Sequence, residues 1–504
     1  MRPFAVSLII GVNYFILFYY GFVNLIYTIL LLVAMVVILR YIRRIRYSPF
    51  KDLVTSPETP PVSILVSSYN EERVIIRTVR ATLAVNYPFF EVIVINDGST
   101  DATLDTLVRT FHLRKVDRAY RNVLKTTPVR GFYYNPDVPN LLVVDKENSG
   151  KADSLNCGIN VSRSPYFCTV DADSVLEENA LVKLMTPTVE STVPVVACGG
   201  VIRVLNGMHL ENGAVRRIDL PRSSIAMFQI VEYLRAFLFG RVGLDAMNGI
   251  LILSGAFSLF RKASVVEAGG YRPKNVTEDM ELITRLHRQA IERKIPYTIK
   301  FISDPVCWTE VPENLKMLGR QRRRWHLGLM QSIIQNRTAL FNPRYGKFGW
   351  VVLPYYLLVE LLSPVVEILG YVAVILSYLF GMLSFEFMLL FLALAIFYGI
   401  FLSTASIYLE EVTYRRYPRW SHLLRLLFYG VIENFGYRQI NSFWRCQAFL
   451  KYLIGMRKWE YVEKGKNETN SFWRCQAFLK YLNGMRKWEC VEKGKNERQG
   501  HRQA

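Results

Sequence analysis

PVSILVSSYNEERVIIRTVRATLAVNYPFFEVIVINDGSTD, residues 61–101, is the stretch that decides the fold. It opens on a β-rich run, VSILVS (62–67), entered through Pro60-Pro61. A helical pattern follows over 71–84, and then a second strand, EVIVIN (91–96). Short apolar runs rich in β-branched residues and separated by a helical period read as a strand–helix–strand unit. The alternation continues outward. A helix over 101–111 starts after Ser99-Thr100, which are good N-cap residues. LLVVD (141–145), a helix at 151–161 and YFCTV (166–170) come next. This order predicts an α/β domain around a parallel sheet with right-handed crossovers.

Ligands of such sheets bind beyond the carboxyl ends of the strands, so the residues there matter most. The first strand is followed by Ser68-Tyr69-Asn70-Glu71-Glu72, and the second by Asp97-Gly98-Ser99-Thr100-Asp101. Lys146 and Ser149-Gly150-Lys151-Ala152-Asp153 follow the third, and Asp171-Ala172-Asp173-Ser174 the fourth. No Walker glycine pattern is among them. Two carboxylates two residues apart can share a hard divalent cation whose shell phosphate oxygens complete. A lone DxD is ordinarily a surface turn. Its place after a buried strand, beside three other polar strand ends, favours the metal reading.

Two later clusters join these. Thr277-Glu278-Asp279 precedes the helical pattern MELITRLHRQAIERK. Acidic residues there suit the helix dipole, and a carboxylate at the mouth of a site also serves as a general base. Gln321-Arg322-Arg323-Arg324-Trp325 offers arginine forks for a diphosphate and an aromatic face for a sugar or base.

The whole chain has 504 residues, 51% hydrophobic, with a formal charge of +20 and a mean hydropathy of +0.16. High hydropathy with high positive charge fits a nucleic-acid binder or a membrane protein with basic cytoplasmic faces. Position decides between them. Residues 4–39 carry no charge and then meet Arg40, Arg43, Arg44 and Arg46. That run suffices for a tilted membrane helix and is too long for a cleavable signal peptide. Further apolar regions lie at 348–380 and 387–409, flanked by Arg320–Arg324 and by Arg415, Arg416 and Arg419. The positive-inside rule gives three crossings, an outside N-terminus, and a cytoplasmic domain and C-terminus, in a multi-pass protein of the cell membrane. Residues 420–440 carry interior charges and read as an interfacial amphipathic helix, with a fourth crossing there as the alternative. With the basic residues at membrane boundaries and in the tail, no nucleic-acid partner is expected.

The seven cysteines include no CxxC and the six histidines no HxxxH, so neither a disulfide framework nor a soft-metal site is expected. Residues 442–468 recur at 471–497 with two changes, Ile454 to Asn483 and Tyr461 to Cys490. Two near-identical copies, each with six basic and three acidic residues, read as a recent duplication in a cytoplasmic tail. The expected organisation is a membrane helix with basic flank at 1–47 and a catalytic domain at 48–345. Two membrane helices at 346–410, an interfacial helix at 411–441 and a basic tail at 442–504 follow.

VSSYNEE, NDGSTD, SGKADSLN, DAD, TED and QRRRW, in this order, resemble glycosyltransferase family 2. The likeness is to its membrane-integrated, processive-type members, which include synthases of poly-N-acetylglucosamine, hyaluronan and cellulose. It implies a Rossmann-like GT-A catalytic domain on the cytoplasmic side, joined to transmembrane helices. It also implies a UDP-sugar donor, Mg²⁺ or Mn²⁺, and inversion at the anomeric carbon. By the same resemblance, Tyr69 and Asp97 hold the uridine and Lys151 lies near the diphosphate. Asp171 and Asp173 are the metal pair, Asp173 ligating directly and Asp171 also facing the nucleotide sugar. Asp279 is the base, with Glu278 beside the acceptor. Gln321, Arg324 and Trp325 form the lid and acceptor-side motif, Arg324 reaching the donor. Ser254-Gly255 resembles the acceptor-contacting turn. The preferred donor is UDP-N-acetylglucosamine and the acceptor a growing glycan, with export through the spans. Single transfer to a lipid acceptor and nucleotide-sugar binding without turnover are the alternatives. The chain departs from the family in Asn96, where a second Asp is common, in a long basic stretch at 112–140, and in Trp459-Glu460 where Trp-Gly is usual.

Overall fold

The structure, a computed structural model, describes residues 2–47, 56–211, 213–273, 275–381, 385–417 and 419–454. The expected strands are present: β1 (Val62–Ser68), β2 (Phe90–Asn96), and, after β3 (Arg114–Val116) and β4 (Val129–Tyr134), β5 (Leu141–Lys146) and β6 (Tyr166–Asp171). β5, β2, β1 and β6 pair in parallel in that order. Their Val, Ile and Leu side chains are almost wholly buried, as helices covering both faces require. The chain continues through β7 (Ser174–Leu176), β8 (Val195–Val204), β9 (His209–Glu211), β10 (Ala214–Arg217), β11 (Phe257–Arg261) and β12 (Thr298–Thr309).

The complete sheet is mixed rather than purely parallel. It has ten strands in the order β3-β4-β5-β2-β1-β6-β11-β8-β12-β7, and β9 and β10 form a separate pair. β4 runs antiparallel to β5, and β11 antiparallel to β6 and β8. The long 112–140 stretch thus has a structural purpose, since it supplies β3 and β4 to one edge of the sheet. This is the α/β class that the alternation predicted, Rossmann-like as the resemblance implied, with antiparallel strands added on both sides of the parallel core.

Two local expectations change. The helix after β2 runs Thr103–Thr110, and Asp101 bonds its first N–H (Thr103 N to Oδ1, 3.0 Å). Ser99 and Thr100 instead bond the loop after β1, where Asn70 N donates to Ser99 Oγ (3.0 Å) and Asn70 Oδ1 accepts from Thr100 N (2.8 Å). Asn70 can do this because it adopts φ 56°, a region asparagine tolerates. The helix expected at 71–84 begins only at Ile75, after a turn closed by Ile75 N to Glu71 O.

Among the described residues three helices are long and apolar enough to cross a membrane: Ile9–Arg43, Phe348–Leu379 and Phe385–Thr413. On the N-terminal helix (Arg2–Tyr47), Phe18, Leu25, Ile29 and Leu32 face outward while Ile16, Leu30, Ala34 and Ile38 are buried. Gly243 packs so closely on this helix that a Cβ there would stand 2.8 Å from the Leu30 carbonyl. The third span passes its expected end at 409 because Glu410 is buried against protein, paired with Arg203 of β8.

The apolar helix at Trp420–Ile432 has 13 residues, short of the roughly 20 that a crossing needs. A turn at Gly436 then leads into the helix Tyr437–Leu453. The expected boundary between 441 and 442 therefore falls inside a helix. The first half of the first repeat copy is packed structure rather than tail, because its polar residues find partners on the span Phe348–Leu379. Ser442 Oγ donates to Glu367 Oε2 (2.6 Å), and Arg445 to the Glu360 carbonyl (2.5 Å). The second copy, at 471–497, lies outside the described residues, as does all of the unit Met456–Ala504.

Candidate active site

Four segments meet at Lys151, the first residue of the helix Lys151–Val161. Its Nζ lies 2.5 Å from Asp171 Oδ1 at the end of β6 and 3.6 Å from Glu278 Oε1. It is also 3.5 Å from the Gly255 carbonyl. A Cβ on Gly255 would stand 3.1 Å from Lys151 Nζ and 3.2 Å from Asp279 Oδ2, so both side-chain ends lie close against this turn. Asp279 Oδ1 caps its own helix (Glu278–Glu292) through Met280 N (2.8 Å), which leaves Oδ2 toward the turn. Burial opposes the charge on Lys151, but Asp171 and Glu278 outweigh it and hold its pKa above the usual lysine range. Burial and the Asp279 carboxylate raise Glu278, against the pull of Lys151.

The loop carrying Lys151 is fixed from beneath by Asp97. Asp97 Oδ1 accepts from Lys146 Nζ (2.8 Å) and Ser149 N (3.1 Å). Its Oδ2 accepts from Gly150 N (2.7 Å) and Asn148 Nδ2 (3.3 Å). Each oxygen has two donors, and the side chain is 3% exposed. Lys146, fully buried, is shared with Asp153 (3.0 Å). Against its own burial, Asp153 is held below the usual carboxyl range by Lys146 and by the Ser149 and Thr127 hydroxyls. Asp97, placed by resemblance on the uridine, has both carboxylate oxygens bonded to the loop that carries Lys151. Asn96 explains itself at the end of β2: its Nδ2 donates to Asp145 Oδ1 of β5 (2.7 Å), where an aspartate would set two carboxylates in contact. Tyr69 is partly exposed just after β1.

Asp173, partly buried, has only distant partners: Ser174 Oγ and Thr309 Oγ1, each 3.5 Å from Oδ1. Burial first, then the Asp171 and Glu71 carboxylates, push its pKa up to about 6. An under-satisfied carboxylate beside a second one suits a divalent cation, which would neutralise both. Among the described residues no three His, Cys, Asp or Glu side chains are grouped to hold a metal. Asp171 and Asp173 alone are too few to hold a divalent cation, and would do so only with oxygens that a bound group supplies.

The arginine-rich motif lies on the helix Leu315–Gln335. Arg324 and Trp325 face outward, and Arg324 sits close enough to Glu278 to favour its ionised form. Gln321 is partly buried with Oε1 unpartnered. Arg322 is buried and anchors the helix through Glu232 (2.7 Å), its guanidinium 4.6 Å from the Trp325 ring. A Cβ at Gly328 would overlap Thr277, so this helix rests directly on the residue before Glu278-Asp279. Ser254 holds the turn, its carbonyl accepting from Ser258 Oγ (2.8 Å). Thus Lys151, Asp171, Gly255, Glu278 and Asp279 come together. Arg324 and Asp173 stand at the rim, and Asp97 lies below.

The family model for glycosyl transferase family 2 matches residues 63–123, and that for glycosyl transferase family group 2 matches residues 166–402. The chain carries glycosyltransferase family 2 domains. It is similar to the poly-beta-1,6-N-acetyl-D-glucosamine synthase of Staphylococcus aureus, 27% identical over 330 residues, covering 64% of this chain and 67% of that protein. The Staphylococcus epidermidis synthase of the same name is 25% identical over 317 residues, covering 60% and 65%. Among solved structures, a mannosyltransferase from Pyrobaculum calidifontis in complex with GDP-Man and Mn²⁺ is 18% identical at a TM-score of 0.45. That match covers 82% of this chain and 99% of the other.

The family 2 motifs do not include several residues on which the geometry depends. Lys146 holds Asp97, Glu232 holds Arg322, and Tyr437 OH donates to the same Glu232 oxygen (2.9 Å). Trp444 packs on Gly319, where a Cβ would come within 2.8 Å of its ring. Each pair is distant in sequence, and only the unmatched charge of a buried residue could have hinted at a partner.

Proposed function

We propose that this chain is an inverting membrane synthase that transfers N-acetylglucosamine from UDP-N-acetylglucosamine to a growing polysaccharide. The observation that supports it best is the meeting of Lys151, Asp171 and Asp279 around Gly255. A lysine and two carboxylates around one small space at the strand ends support a site for a charged donor. Similarity to poly-beta-1,6-N-acetyl-D-glucosamine synthases supports the polymer and the sugar. The three apolar helices support a multi-pass membrane protein, and their basic flanks support a cytoplasmic catalytic domain.

In this mechanism Asp279 Oδ2 takes the proton of an acceptor hydroxyl. The freed oxygen attacks the anomeric carbon from the face opposite UDP. One new C–O bond forms, the bond to the diphosphate breaks, and the configuration inverts. Lys151 and Arg324 oppose the charge that grows on the leaving diphosphate. Mg²⁺ or Mn²⁺, held by Asp171, Asp173 and the diphosphate, would supply further charge stabilisation there. General-base help of this kind contributes roughly 10²–10⁴-fold.

A donor screen with the membrane-bound protein, reading UDP release and product size together, tests the proposal. UDP-N-acetylglucosamine is expected to give the fastest UDP release and a long product, dependent on Mg²⁺ or Mn²⁺. Addition of a single sugar to a lipid acceptor, or faster polymerisation from another donor, contradicts it.

A further inference from the structure

A cavity of about 330 Å³ opens where the first apolar helix meets the α/β domain. Val37 and Tyr41 of that helix form one wall. Glu190, at the end of the helix Ala180–Glu190, and Lys300 of β12 face them, and Asp245 of the short helix Val242–Asp245 closes the space. Among the described residues none of those at the candidate active site lines it. The cavity is reachable from outside. Lys300 is 36% exposed, Glu190 is exposed, and beside Val37 and Tyr41 the side chains of Val36, Leu39 and Arg40 face outward.

The sequence sets its depth. Residues 4–39 carry no charge, and Arg40 and Arg43 follow at once with Tyr41 between them. A passage from apolar to basic through an aromatic residue marks the lipid headgroup layer. The wall at Tyr41 is therefore level with headgroups, while the adjoining surface at Val36 and Leu39 suits acyl chains.

The polar groups of the cavity are incompletely paired. β7 reaches only residues 307–309 of β12, which leaves the edge at Phe301 to a side chain, and Asp245 Oδ1 accepts from Phe301 N (2.9 Å). Asp245 Oδ2 faces Lys300 Nζ at 3.8 Å, beyond hydrogen-bond distance. Burial pushes the Asp245 pKa up to about 6, and Lys300 and the Phe301 N–H offset it only in part. Lys183, also on the lining, is already bound to Asp304 (2.7 Å) and Glu177 (3.2 Å). One open ammonium, Lys300, thus stands beside the carboxylates of Asp245 and Glu190. A simple anion would meet the carboxylates, and a simple cation the lysine. A ligand with a phosphate and an ammonium on one short linker suits both, and a bilayer supplies that group at this depth.

We propose that this cavity binds the headgroup of an amine-bearing phospholipid, its phosphate on Lys300 and its ammonium on Asp245 and Glu190, with the acyl chains along Val36 and Leu39. This rests on the membrane placement proposed above and adds a lipid ligand to it.

The test uses full-length protein in a neutral detergent, stripped of lipid and titrated with phosphatidylethanolamine or with phosphatidylcholine of the same acyl chains. Native mass spectrometry counts the bound lipid. Phosphatidylethanolamine is expected to bind about tenfold more tightly or better, because its ammonium donates hydrogen bonds to carboxylates and a quaternary ammonium has none to donate. Asp245→Asn keeps an acceptor for Phe301 N and removes the charge, and Lys300→Met keeps the apolar stem. Each is expected to lose most of the phosphatidylethanolamine affinity while the lipid-free Tm stays near wild type. Equal binding of the two lipids by the wild type overturns the proposal without any variant, and so do variants that bind phosphatidylethanolamine as the wild type does. Glycerophosphoethanolamine, the headgroup without chains, is the third arm, and binding as tight as that of the intact lipid overturns the membrane source. Wild-type protein that an alkaline wash strips from vesicles overturns the membrane placement and this inference with it. Protein that stays in washed vesicles yet ignores the headgroup removes this site alone.

Discussion

Asp97 with Lys146, and Asp171 with Lys151, are two lysine–aspartate pairs joined by a single loop, and they differ in every respect that matters. The first is sealed: Lys146 is 0% and Asp97 3% exposed, with both carboxylate oxygens doubly bonded. The second is open, with Lys151 30% and Asp171 34% exposed. Around it Glu278, Asp279 and Asp173 leave more negative charge than one lysine can balance. A saturated buried pair has no free hydrogen-bonding group and holds the loop between the two lysines. An exposed pair with surplus charge gains from a ligand that brings a cation and an anion together, as a metal-bound diphosphate does. Motif residues that look alike in sequence therefore divide into a floor and a working surface.

Substitutions can break that division. Asp97→Ala should have the largest effect on the fold, leaving Lys146 and two backbone N–H groups underserved. Loss of one partner of a buried pair costs about 3–5 kcal/mol, and chemical denaturation would read it. Lys151→Met should leave the denaturation midpoint near wild type while transfer falls roughly 10²–10³-fold, as for loss of one preorganised donor. If the two variants exchange phenotypes, the division is wrong. Gly328→Ala should fall between them, pushing the arginine-rich helix off Thr277 at a cost of about 1–3 kcal/mol for overpacking. Its transfer rate should drop more than its UDP affinity, measured by titration on the same sample. Arg77→Ala, which removes a surface pair with Glu310 at 2.8 Å, should change stability by about 0–1 kcal/mol.

The strands β1, β2, β5 and β6 were legible within a residue or two, because buried parallel strands are short apolar runs with polar punctuation. The three spans were legible for a similar reason, since a charge-free run of that length has few other uses. The antiparallel edge was not, because the 112–140 stretch is basic and broken, and β3 has only three residues. The role of Asp97 was hidden as well. Nothing local distinguishes a carboxylate that faces ligand from one that a buried lysine 49 residues away has already claimed. The docking of Ser442 and Arg445 went unread because the repeat made both copies look equivalent. Only the contacts with Glu367 and Glu360 separate a packed helix from a tail. The candidate site itself was largely visible, as strand ends collect side chains that spacing alone can list. Which of them touch one another required coordinates.

The central claim is that Asp279, beside Gly255 and Lys151, is the base for sugar transfer. Asp279→Asn keeps the shape of the side chain and removes its ability to take a proton. Transfer from UDP-N-acetylglucosamine to an oligosaccharide acceptor, measured on purified full-length protein with UDP binding titrated in parallel, is the most direct test. The expected result is a fall of about 10²-fold or more in transfer with UDP affinity retained. Elongation at the wild-type rate by Asp279→Asn protein would contradict the account.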